Sequence, residues 1–327
     1  MSTRKSDGIY LITGGASLIG SHIADRLLAD GAKEVRLLDN YSLGTPGTIA
    51  HLDGDARVKR LRGDILRLPD LLDAAHGVDG VFALAGFLTL PMAQDPIAGL
   101  SVNTLGMVNT LEACRFAGVR RIVFSSSVAV YGNTTAFPIT EDTGYFSATL
   151  QPPSQLYGAS KLLGEAICAR YAKAHGIQFN ALRFASVYGE RQHARAVNAV
   201  FVAQVCDQVR RGEAPVIEGD GSEVHDYVYV TDVAAACVLA MHSASHGHSI
   251  NIATGVDSTA TEVAETALRI CGRGDLQPQY REDRRAVRSA GGRRLGFSRD
   301  KAARELGWEP QVGLEEGMRR LLEWQRT

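Results

Sequence analysis

Hydrophobic positions in the first half of the chain alternate between short apolar runs and longer stretches with helical spacing. The short runs predict β-strands, at Ile9–Thr13, Glu34–Leu38, Val58–Leu61, Gly80–Ala85, Arg121–Ser125 and Phe179–Phe184. The longer stretches predict amphipathic helices, at Leu18–Ala29, Gln94–Ala117 and Tyr157–His175. Because strands that alternate with helices form a parallel sheet covered on both faces, the pattern predicts an α/β fold with a doubly wound parallel sheet.

The pattern changes after about Ser186, where turn-rich stretches separate shorter elements. It still predicts helices and strands, at Val197–Arg211, Tyr227–Val230, Val233–Met241, Ile250–Ala253 and Thr261–Ile270. We therefore expect a large domain from residues 1–185, to which some later segments return, and a smaller C-terminal α/β substrate lobe made mainly from residues 186–327. No Gly/Ser-rich linker separates the two parts, so we expect them to pack tightly.

Composition and charge argue against several classes of protein. The chain has 327 residues, 45% of them hydrophobic, and a formal net charge of −1, which gives no sign of a nucleic-acid or membrane partner. The polar first residues and the lack of a long apolar run predict a cytoplasmic protein. Five scattered cysteines without a Cys-x-x-Cys pair predict reduced core residues and no metal site.

A glycine-rich turn joins the first predicted strand to the first predicted helix. Residues 13–20 read TGGASLIG, and such a turn lets the backbone approach a pyrophosphate at a helix N-terminus. Asp39 ends the next strand, where a carboxylate accepts hydrogen bonds from ribose hydroxyls and repels a 2′-phosphate. Ser17 replaces the usual middle glycine, but it is small and its hydroxyl can reach a phosphate. The sequence thus predicts a Rossmann-type domain that prefers NAD to NADP.

Asp64 follows the third predicted strand, after Arg62 and Gly63. At that position a carboxylate can face the adenine amino group of a dinucleotide. The alternative is an ordinary turn aspartate, because aspartate is common in turns for local reasons. Both interpretations stay open at this point.

A tyrosine and a lysine stand four residues apart on one predicted helix. Tyr157 and Lys161 therefore share a helix face. Tyrosine has an ordinary pKa of about 10, but an ammonium and a positive nicotinamide ring nearby favour the phenolate. We therefore predict a lowered pKa for Tyr157, which would take a proton from a substrate hydroxyl. Ser127 follows the preceding strand, where it can orient the same hydroxyl.

A surface pair that merely stabilises the helix is the alternative for Tyr157 and Lys161. The dinucleotide turn and the serine-bearing strand end upstream argue against it, since together they assemble the parts of one redox centre.

These motifs resemble the extended short-chain dehydrogenase/reductase family, and within it the nucleotide-sugar 4-epimerases of the UDP-glucose 4-epimerase type. The similarity covers nearly the whole chain and includes residues 13–23, 39–40, 63–65, 82–86, 103, 125–132, 157–161, 183–189, 219–232 and 306–310. It implies a large NAD-binding lobe and a small lobe that holds a nucleoside-diphosphate sugar. It also implies a homodimer joined through the helices Gln94–Ala117 and Tyr157–His175.

The resemblance implies a set of functional residues at the turn, the strand ends and the second long helix. The cofactor-binding residues are Gly14, Ser17, Leu18, Ile19, Gly20, Asp39, Asn40, Asp64, Ile65, Leu84, Ala85, Asn103, Tyr157 and Lys161. The catalytic residues are Ser127, Tyr157 and Lys161. The substrate-binding residues are Ser127, Ser186, Arg191, His225 and Arg288.

Several of the implied substrate residues depart from the family pattern. Ser186 stands where the family often has an asparagine that contacts the diphosphate, and His225 stands where it usually has an arginine. A neutral histidine cannot clamp a phosphate as a bidentate arginine does. Ala83 replaces a histidine that many relatives carry near the cofactor.

Two arginines are candidates to compensate for these departures. Arg288 lies 12 residues before Asp300, which is the spacing of the family arginine that holds the diphosphate, and Arg191 is expected near the mouth of the site. The alternative for the arginine-rich run, residues 281–294, is a solvated surface loop.

The two residues after Ser127 separate the reaction types of the family. Family dehydratases usually place an Asp-Glu pair there, but this chain has Val128 and Ala129. The difference favours a 4-epimerase that oxidises the sugar transiently at carbon 4 and returns the hydride to the other face. Alternatives are a net NAD-dependent dehydrogenase or reductase of another sugar or polyol, a nucleotide-sugar dehydratase, and a non-catalytic dinucleotide sensor.

Overall fold

The chain folds into alternating strands and helices, and the computed structural model describes residues 6–192, 200–285 and 294–326. The strands in these ranges are β1 (Ile9–Thr13), β2 (Glu34–Asp39), β3 (Val58–Arg62), β4 (Gly80–Ala83), β5 (Arg121–Ser127), β6 (Gln178–Phe184), β7 (Ser186–Tyr188), β8 (Val216–Glu218), β9 (Val224–Tyr229), β10 (His248–Ile252), β11 (Asp257–Thr259) and β12 (Gln279–Arg281).

Helices connect most of these strands. Those in the described ranges are α1 (Leu18–Ala29), α2 (Leu68–Ala75), α3 (Thr89–Gln94), α4 (Pro96–Leu100), α5 (Met107–Ala117), α6 (Pro152–His175), α7 (Val200–Arg210), α8 (Val230–His242), α9 (Ala260–Ile270), α10 (Asp300–Leu306) and α11 (Leu314–Trp324). Short 3-10 turns lie at Pro46–Leu52 and Val128–Tyr131, and a π-helical turn at Ser101–Gly106 joins α4 to α5.

The described part of the chain builds a seven-stranded parallel sheet in the order β10-β6-β5-β4-β1-β2-β3. Buried apolar clusters lie against the sheet, as expected when helices cover both faces of parallel strands. From β3 to β6 the strand order is that of a Rossmann fold. In this fold all strands are parallel, and the order in which they are added to the sheet reverses beside β1. The sheet confirms the predicted fold class.

Later segments divide between this large sheet and smaller ones. β10 pairs in parallel with β6 at the edge of the large sheet, and α8 packs against α1. Among the described residues, β11, β9 and β7 form a three-stranded sheet, and β12 pairs with β8. A third apolar cluster, centred on Tyr188, Tyr229 and Val263, packs beside these smaller sheets.

The predicted helix Gln94–Ala117 is wrong at its start and in its continuity. Its first residue, Gln94, is the last residue of α3, and a new helix begins at Pro96. Proline cannot donate the backbone N–H that a continuous helix needs, and Asp95 caps the new helix by accepting from the Ala98 N–H at 2.9 Å. The π-helical turn then interrupts the regular spacing before α5.

The helix predicted at Tyr157–His175 begins five residues earlier, at Pro152. Prolines at 152 and 153 look like a turn in the sequence, but the first helical turn needs no N–H donors and tolerates them. Predicted strand ends elsewhere differ from the observed ones by a few residues.

The cysteines lie mostly in the core. Cys114, Cys168, Cys206 and Cys237 are buried, Cys271 is half-buried, and burial raises the pKa of each thiol. Among the described residues, no helix has both the length and the apolar character of a membrane span.

Candidate active site

An open cleft lies at the carboxyl ends of β1, β2, β3 and β4. Its empty volume, including the part open to solvent, is about 560 Å³. Its lining includes predicted cofactor residues from all four strand ends: Gly14, Ser17, Asp39, Asn40, Asp64, Ile65, Leu84 and Ala85. This is the position where open α/β sheets bind dinucleotides, beside the strand at which the order reverses.

Two glycines of the turn leave no room for a side chain. Gly14 has a φ of +70°, and a Cβ there would lie 2.9 Å from the Ala85 nitrogen. A Cβ on Gly20 would lie 2.6 Å from the Gly14 carbonyl oxygen. The turn therefore packs against both the loop after β4 and the first turn of α1, as a backbone cradle for a pyrophosphate requires.

Ser17 caps α1 instead of leaving the helix end open. Its hydroxyl accepts from the Gly20 N–H at 3.1 Å, which leaves the O–H free to donate in another direction. Leu18, Ile19 and Gly20 form the first turn of α1, where the helix dipole favours a phosphate. The turn and its capping residue fit a dinucleotide pyrophosphate.

Asp39 supports the turn as well as facing the cleft. Its Oδ2 accepts from the Ala16 N–H at 2.9 Å, and its Oδ1 accepts from the Tyr41 N–H at 2.8 Å. The Asn40 Nδ2 donates to Asp64 Oδ2 at 3.0 Å. Asp39, Asn40 and Asp64 thus form one polar wall of the cleft.

Asn103 fixes the loop that follows β4. It lies in the π-helical turn, where its Oδ1 accepts from the Phe87 N–H at 2.7 Å and its Nδ2 donates to the Phe87 carbonyl at 3.0 Å. The same amide donates to Ser160 at 3.1 Å. Asn103 thereby ties the cleft wall to the helix that carries Tyr157 and Lys161.

Helix α6 presents Tyr157 and Lys161 to the end of β5. The Tyr157 hydroxyl hydrogen-bonds to Ser127, and the Lys161 Nζ donates to the Ser125 carbonyl at 2.8 Å. The ammonium lies 5.8 Å from the centre of the Tyr157 ring. The structure thus brings the three predicted catalytic residues together.

The predicted lowering of the Tyr157 pKa depends on a nicotinamide ring as well as on Lys161. Burial raises this pKa to about 12, and the hydrogen bond to Ser127 only partly opposes this rise. Burial also lowers the pKa of Lys161 to about 8, against the attraction of Glu165. Placing a phenolate in a buried site costs free energy, which nearby positive charges must offset. Lowering the pKa of Tyr157 therefore depends on positive charge beyond that of Lys161.

Ser186 and His225 form one end of a polar chain. The Ser186 hydroxyl lies 3.2 Å from His225 Nδ1, and His225 Nε2 lies 2.7 Å from Glu223. Glu223 also accepts from Arg285. Burial raises the pKa of Glu223, but the hydrogen bonds from His225 and Arg285 outweigh this and lower it to about 2. Because the ionised carboxylate only accepts, His225 Nε2 carries a proton.

This polar chain begins close to the catalytic serine. Ser127 on β5 pairs in register with Phe184 on β6, and Ser186 follows two residues later. The pair formed by Ser186 and His225 is therefore placed at the same edge of the sheet as Ser127.

Arg191 is not brought to this pair. Arg191, which has a φ of +65°, directs its guanidinium to Asp25 on α1 at 2.6 Å and also contacts His51. It links the segment after β7 to the dinucleotide-binding half of the molecule. Arg288 lies outside the described residues.

Three residues in or near the site were missed in the sequence. Glu165 lies one helical turn beyond Lys161 and hydrogen-bonds to Ser126. The spacing Tyr-x-x-x-Lys-x-x-x-Glu is visible in the sequence and could have indicated it. Glu223 could have been indicated by its position two residues before His225, whereas nothing local marks Phe87 as part of the cleft wall.

Comparisons with known proteins agree with this geometry. The profile of the NAD dependent epimerase/dehydratase family matches residues 10–253. The UDP-glucose 4-epimerase of Mycolicibacterium smegmatis is 33% identical, over 97% of this chain and 98% of that protein. The crystal structure of UDP-glucose 4-epimerase from Thermotoga maritima with UDP-glucose superposes with a TM-score of 0.86 at 31% identity, covering 97% of this chain and 98% of that one.

Relatives with a different reaction are also similar. UDP-glucuronic acid decarboxylase 1 of Danio rerio is 30% identical, over 96% of this chain and 72% of that protein. The similarity therefore shows the family and its cofactor more sharply than the reaction. With the dinucleotide cleft and the grouped Ser127, Tyr157 and Lys161, it shows that this chain is an NAD-dependent enzyme of the epimerase/dehydratase family.

Proposed function

We propose that the protein is a 4-epimerase of a nucleoside-diphosphate sugar. The observation that carries this proposal is the pair of apolar residues Val128 and Ala129 directly after Ser127, where a dehydratase needs an acid and a base. They form a 3-10 turn whose first N–H groups are partly capped by the Ser127 hydroxyl, at 3.2 Å from the Ala129 nitrogen. The polar side chains that meet at this point, among the described residues, include Ser127, Tyr157 and Lys161.

The roles of these residues follow from their contacts. NAD, held in the cleft, would supply the nicotinamide that accepts and donates hydride. Tyr157 takes the proton of the sugar 4-hydroxyl as hydride leaves carbon 4, and it returns the proton to the 4-keto oxygen when hydride adds to the opposite face of that carbon. Ser127, already hydrogen-bonded to Tyr157, orients that hydroxyl, and Lys161 favours the phenolate electrostatically.

The cofactor and the sugar would occupy adjoining parts of the molecule. Gly14, Ser17, Asp39 and Asp64 would hold the dinucleotide in the cleft between the strand ends. Residues 186–327 would mainly hold the nucleoside diphosphate, with Ser186 and His225 next to the reacting sugar. We place the enzyme in the cytoplasm.

The proposal is tested by supplying UDP-glucose or UDP-glucuronic acid and analysing the products by NMR. We expect a sugar inverted at carbon 4 with no accumulation of reduced nicotinamide. Stoichiometric NADH would indicate a net dehydrogenase, a product that has lost water would indicate a dehydratase, and release of CO₂ would indicate a decarboxylase; each result contradicts the epimerase. Thermal shifts measured with a set of nucleoside-diphosphate sugars identify the sugars that bind, and those sugars are then used as substrates in the assay.

We also propose that the enzyme is a homodimer. Large apolar side chains are exposed on the segment from α4 to α5 and on the adjacent α6: Ile97 (81%), Leu105 (51%), Phe116 (60%) and Leu163 (48%). The π-helical turn and α5 both pack against α6, and α4 packs against the π-helical turn. We propose that the outer surfaces of these elements form one apolar face. A second copy of the chain presents the same face, and a twofold axis allows each face to cover the other.

Replacing Leu163 by aspartate is expected to convert the dimer to a monomer. The change places a charge in the centre of the proposed interface, where it would lose water without gaining a partner. Light scattering on a sizing column measures the mass. Val256→Asp is the matched control, because Val256 is 64% exposed and belongs to the loop between β10 and β11, outside α4, α5 and α6. An unchanged dimer mass in Leu163→Asp, or a monomeric wild type, would show that this face is not the interface.

A further inference from the structure

We propose that Glu165 is a positioning residue that sets the register between the catalytic helix and β5 and keeps Lys161 in its ammonium form. The inference rests on the role proposed above for Lys161 in the reaction.

Three successive turns of α6 each hold one residue at the end of β5. Tyr157 hydrogen-bonds to Ser127, Lys161 donates to the Ser125 carbonyl, and Glu165 accepts from the Ser126 hydroxyl at 2.5 Å. Contacts at every turn fix both the height and the rotation of the helix relative to the strand. Glu165 therefore helps to determine where Tyr157 and Ser127 meet.

The Glu165 carboxylate is itself held from three strands. It is only 8% exposed, and Arg183 on β6 donates to it twice, at 2.9 and 2.7 Å. Ser249 on β10 donates at 2.7 Å, in addition to Ser126 on β5. Burial raises the pKa of Glu165, but these hydrogen bonds and the charge of Arg183 outweigh it and lower the pKa. The carboxylate is therefore charged and immobile.

The ionisable groups around Lys161 are few. On α6 they are the Tyr157 phenol and the Glu165 carboxylate; Cys168 lies near Glu165 on the same helix, and burial keeps its thiol neutral. From β5, Lys161 meets the Ser125 carbonyl and the Phe124 ring, and from the loop after β4 it meets Gly86.

On the far side of Glu165, Arg183 extends to the Tyr131 hydroxyl and the Glu141 carbonyl. Glu165 thus carries the negative charge that opposes the lowering of the Lys161 pKa by burial.

Loss of this charge has a chemical consequence. Burial already lowers the pKa of Lys161 to about 8, and Glu165 limits the fall. Without Glu165, Lys161 would lose its proton closer to neutral pH. A neutral amine no longer favours the Tyr157 phenolate, so the base would be weakened although neither Tyr157 nor Lys161 had changed.

The direct test is NMR titration of protein labelled with ¹³C at the lysine ε-carbons. The chain has only six lysines, and the spectrum of Lys161→Met identifies the signal of Lys161. In Glu165→Gln we expect the midpoint of Lys161 to fall by about one pH unit. Ser249→Ala removes a hydrogen bond to Glu165 but keeps the charge, and its midpoint should equal that of the wild type.

Glu165→Asp provides a milder variant if Glu165→Gln fails to fold. The aspartate side chain is shorter by one methylene group, so the negative charge is kept but displaced. The midpoint of Lys161 should therefore lie between those of the wild type and Glu165→Gln. A midpoint at or above the wild-type value in either Glu165 variant would overturn the proposal. An equal fall in Ser249→Ala would also overturn it, because the effect would then arise from packing.

Kinetics extend the test to catalysis. The alkaline limb of the kcat profile should shift to lower pH in Glu165→Gln by the same amount as the NMR midpoint, while KM stays nearly constant. If the Lys161 midpoint falls in Glu165→Gln but the wild type epimerises no sugar, the proposed function is wrong and the role of Glu165 stands. Epimerisation with an unmoved midpoint would count against the role of Glu165 alone.

Discussion

Tyr157→Phe is expected to reduce kcat by about 10³-fold or more, because the variant lacks the hydroxyl that exchanges the substrate proton. The phenyl ring keeps the buried volume of the tyrosine, and only the hydrogen bond to Ser127 is lost. The melting temperature and NAD content should therefore remain close to those of the wild type. Initial rates of sugar inversion, with NAD content measured on the same sample, test the prediction.

Tyr171→Phe is the matched control for this experiment. Tyr171 lies on the same helix, but its hydroxyl donates to Glu112 at 2.6 Å, away from the site. Its variant should retain the wild-type rate. A Tyr157→Phe protein that keeps its turnover would remove Tyr157 from the proton transfer.

Asp39→Asn is expected to weaken NAD binding by about 10- to 100-fold, because hydrogen bonds to a charged acceptor contribute more than those to a neutral one. Both carboxylate oxygens of Asp39 accept backbone N–H groups, from Ala16 and Tyr41. An asparagine amide nitrogen cannot accept, so one of these bonds is lost and the glycine-rich turn loosens. The repulsion of a 2′-phosphate disappears with the charge, so the preference for NAD over NADP should narrow.

Calorimetric titration of the apoprotein with NAD and NADP, at one ionic strength, measures both effects. Asp53→Asn serves as the control, since Asp53 pairs with Arg60 on the surface beyond the cleft. If the ratio of the two affinities were the same in Asp39→Asn and the wild type, Asp39 would not select the cofactor.

Local sequence patterns predicted the large sheet and the cofactor turn because both depend on short-range rules. Period-two and apolar runs indicate parallel strands, and the TGGASLIG turn combines glycines with a helix start. The helix boundaries were less predictable. Pro96 and Pro152 both suggest turns, but each begins a helix, and the π-helical turn at Ser101–Gly106 leaves no simple signal.

The electrostatics of the site depended on contacts between distant segments. Ser186 and His225 are 39 residues apart, and their contact exists because β7 pairs with β9. Arg183 reaches Glu165 across 18 residues, and no local pattern indicates that the pair is buried. The raised pKa of Tyr157 has the same origin, since burial is a property of the assembled fold.

The placement of Arg191 also depends on a partner that is distant in the sequence. Its place just after Glu190 suggested the mouth of the substrate site, but its left-handed backbone turns the side chain toward Asp25 and His51. An anion partner on α1 determines where the guanidinium goes, and that partner is 166 residues away in the sequence.

The most direct test of the epimerase proposal is the fate of hydrogen at carbon 4. UDP-glucose deuterated at carbon 4 is incubated with the purified enzyme, and the product is analysed by NMR and mass spectrometry. Transient oxidation with return of the same hydride predicts an inverted sugar that retains its deuterium, with no NADH released. Loss of the deuterium to solvent, or its appearance in free reduced nicotinamide, would contradict the proposal.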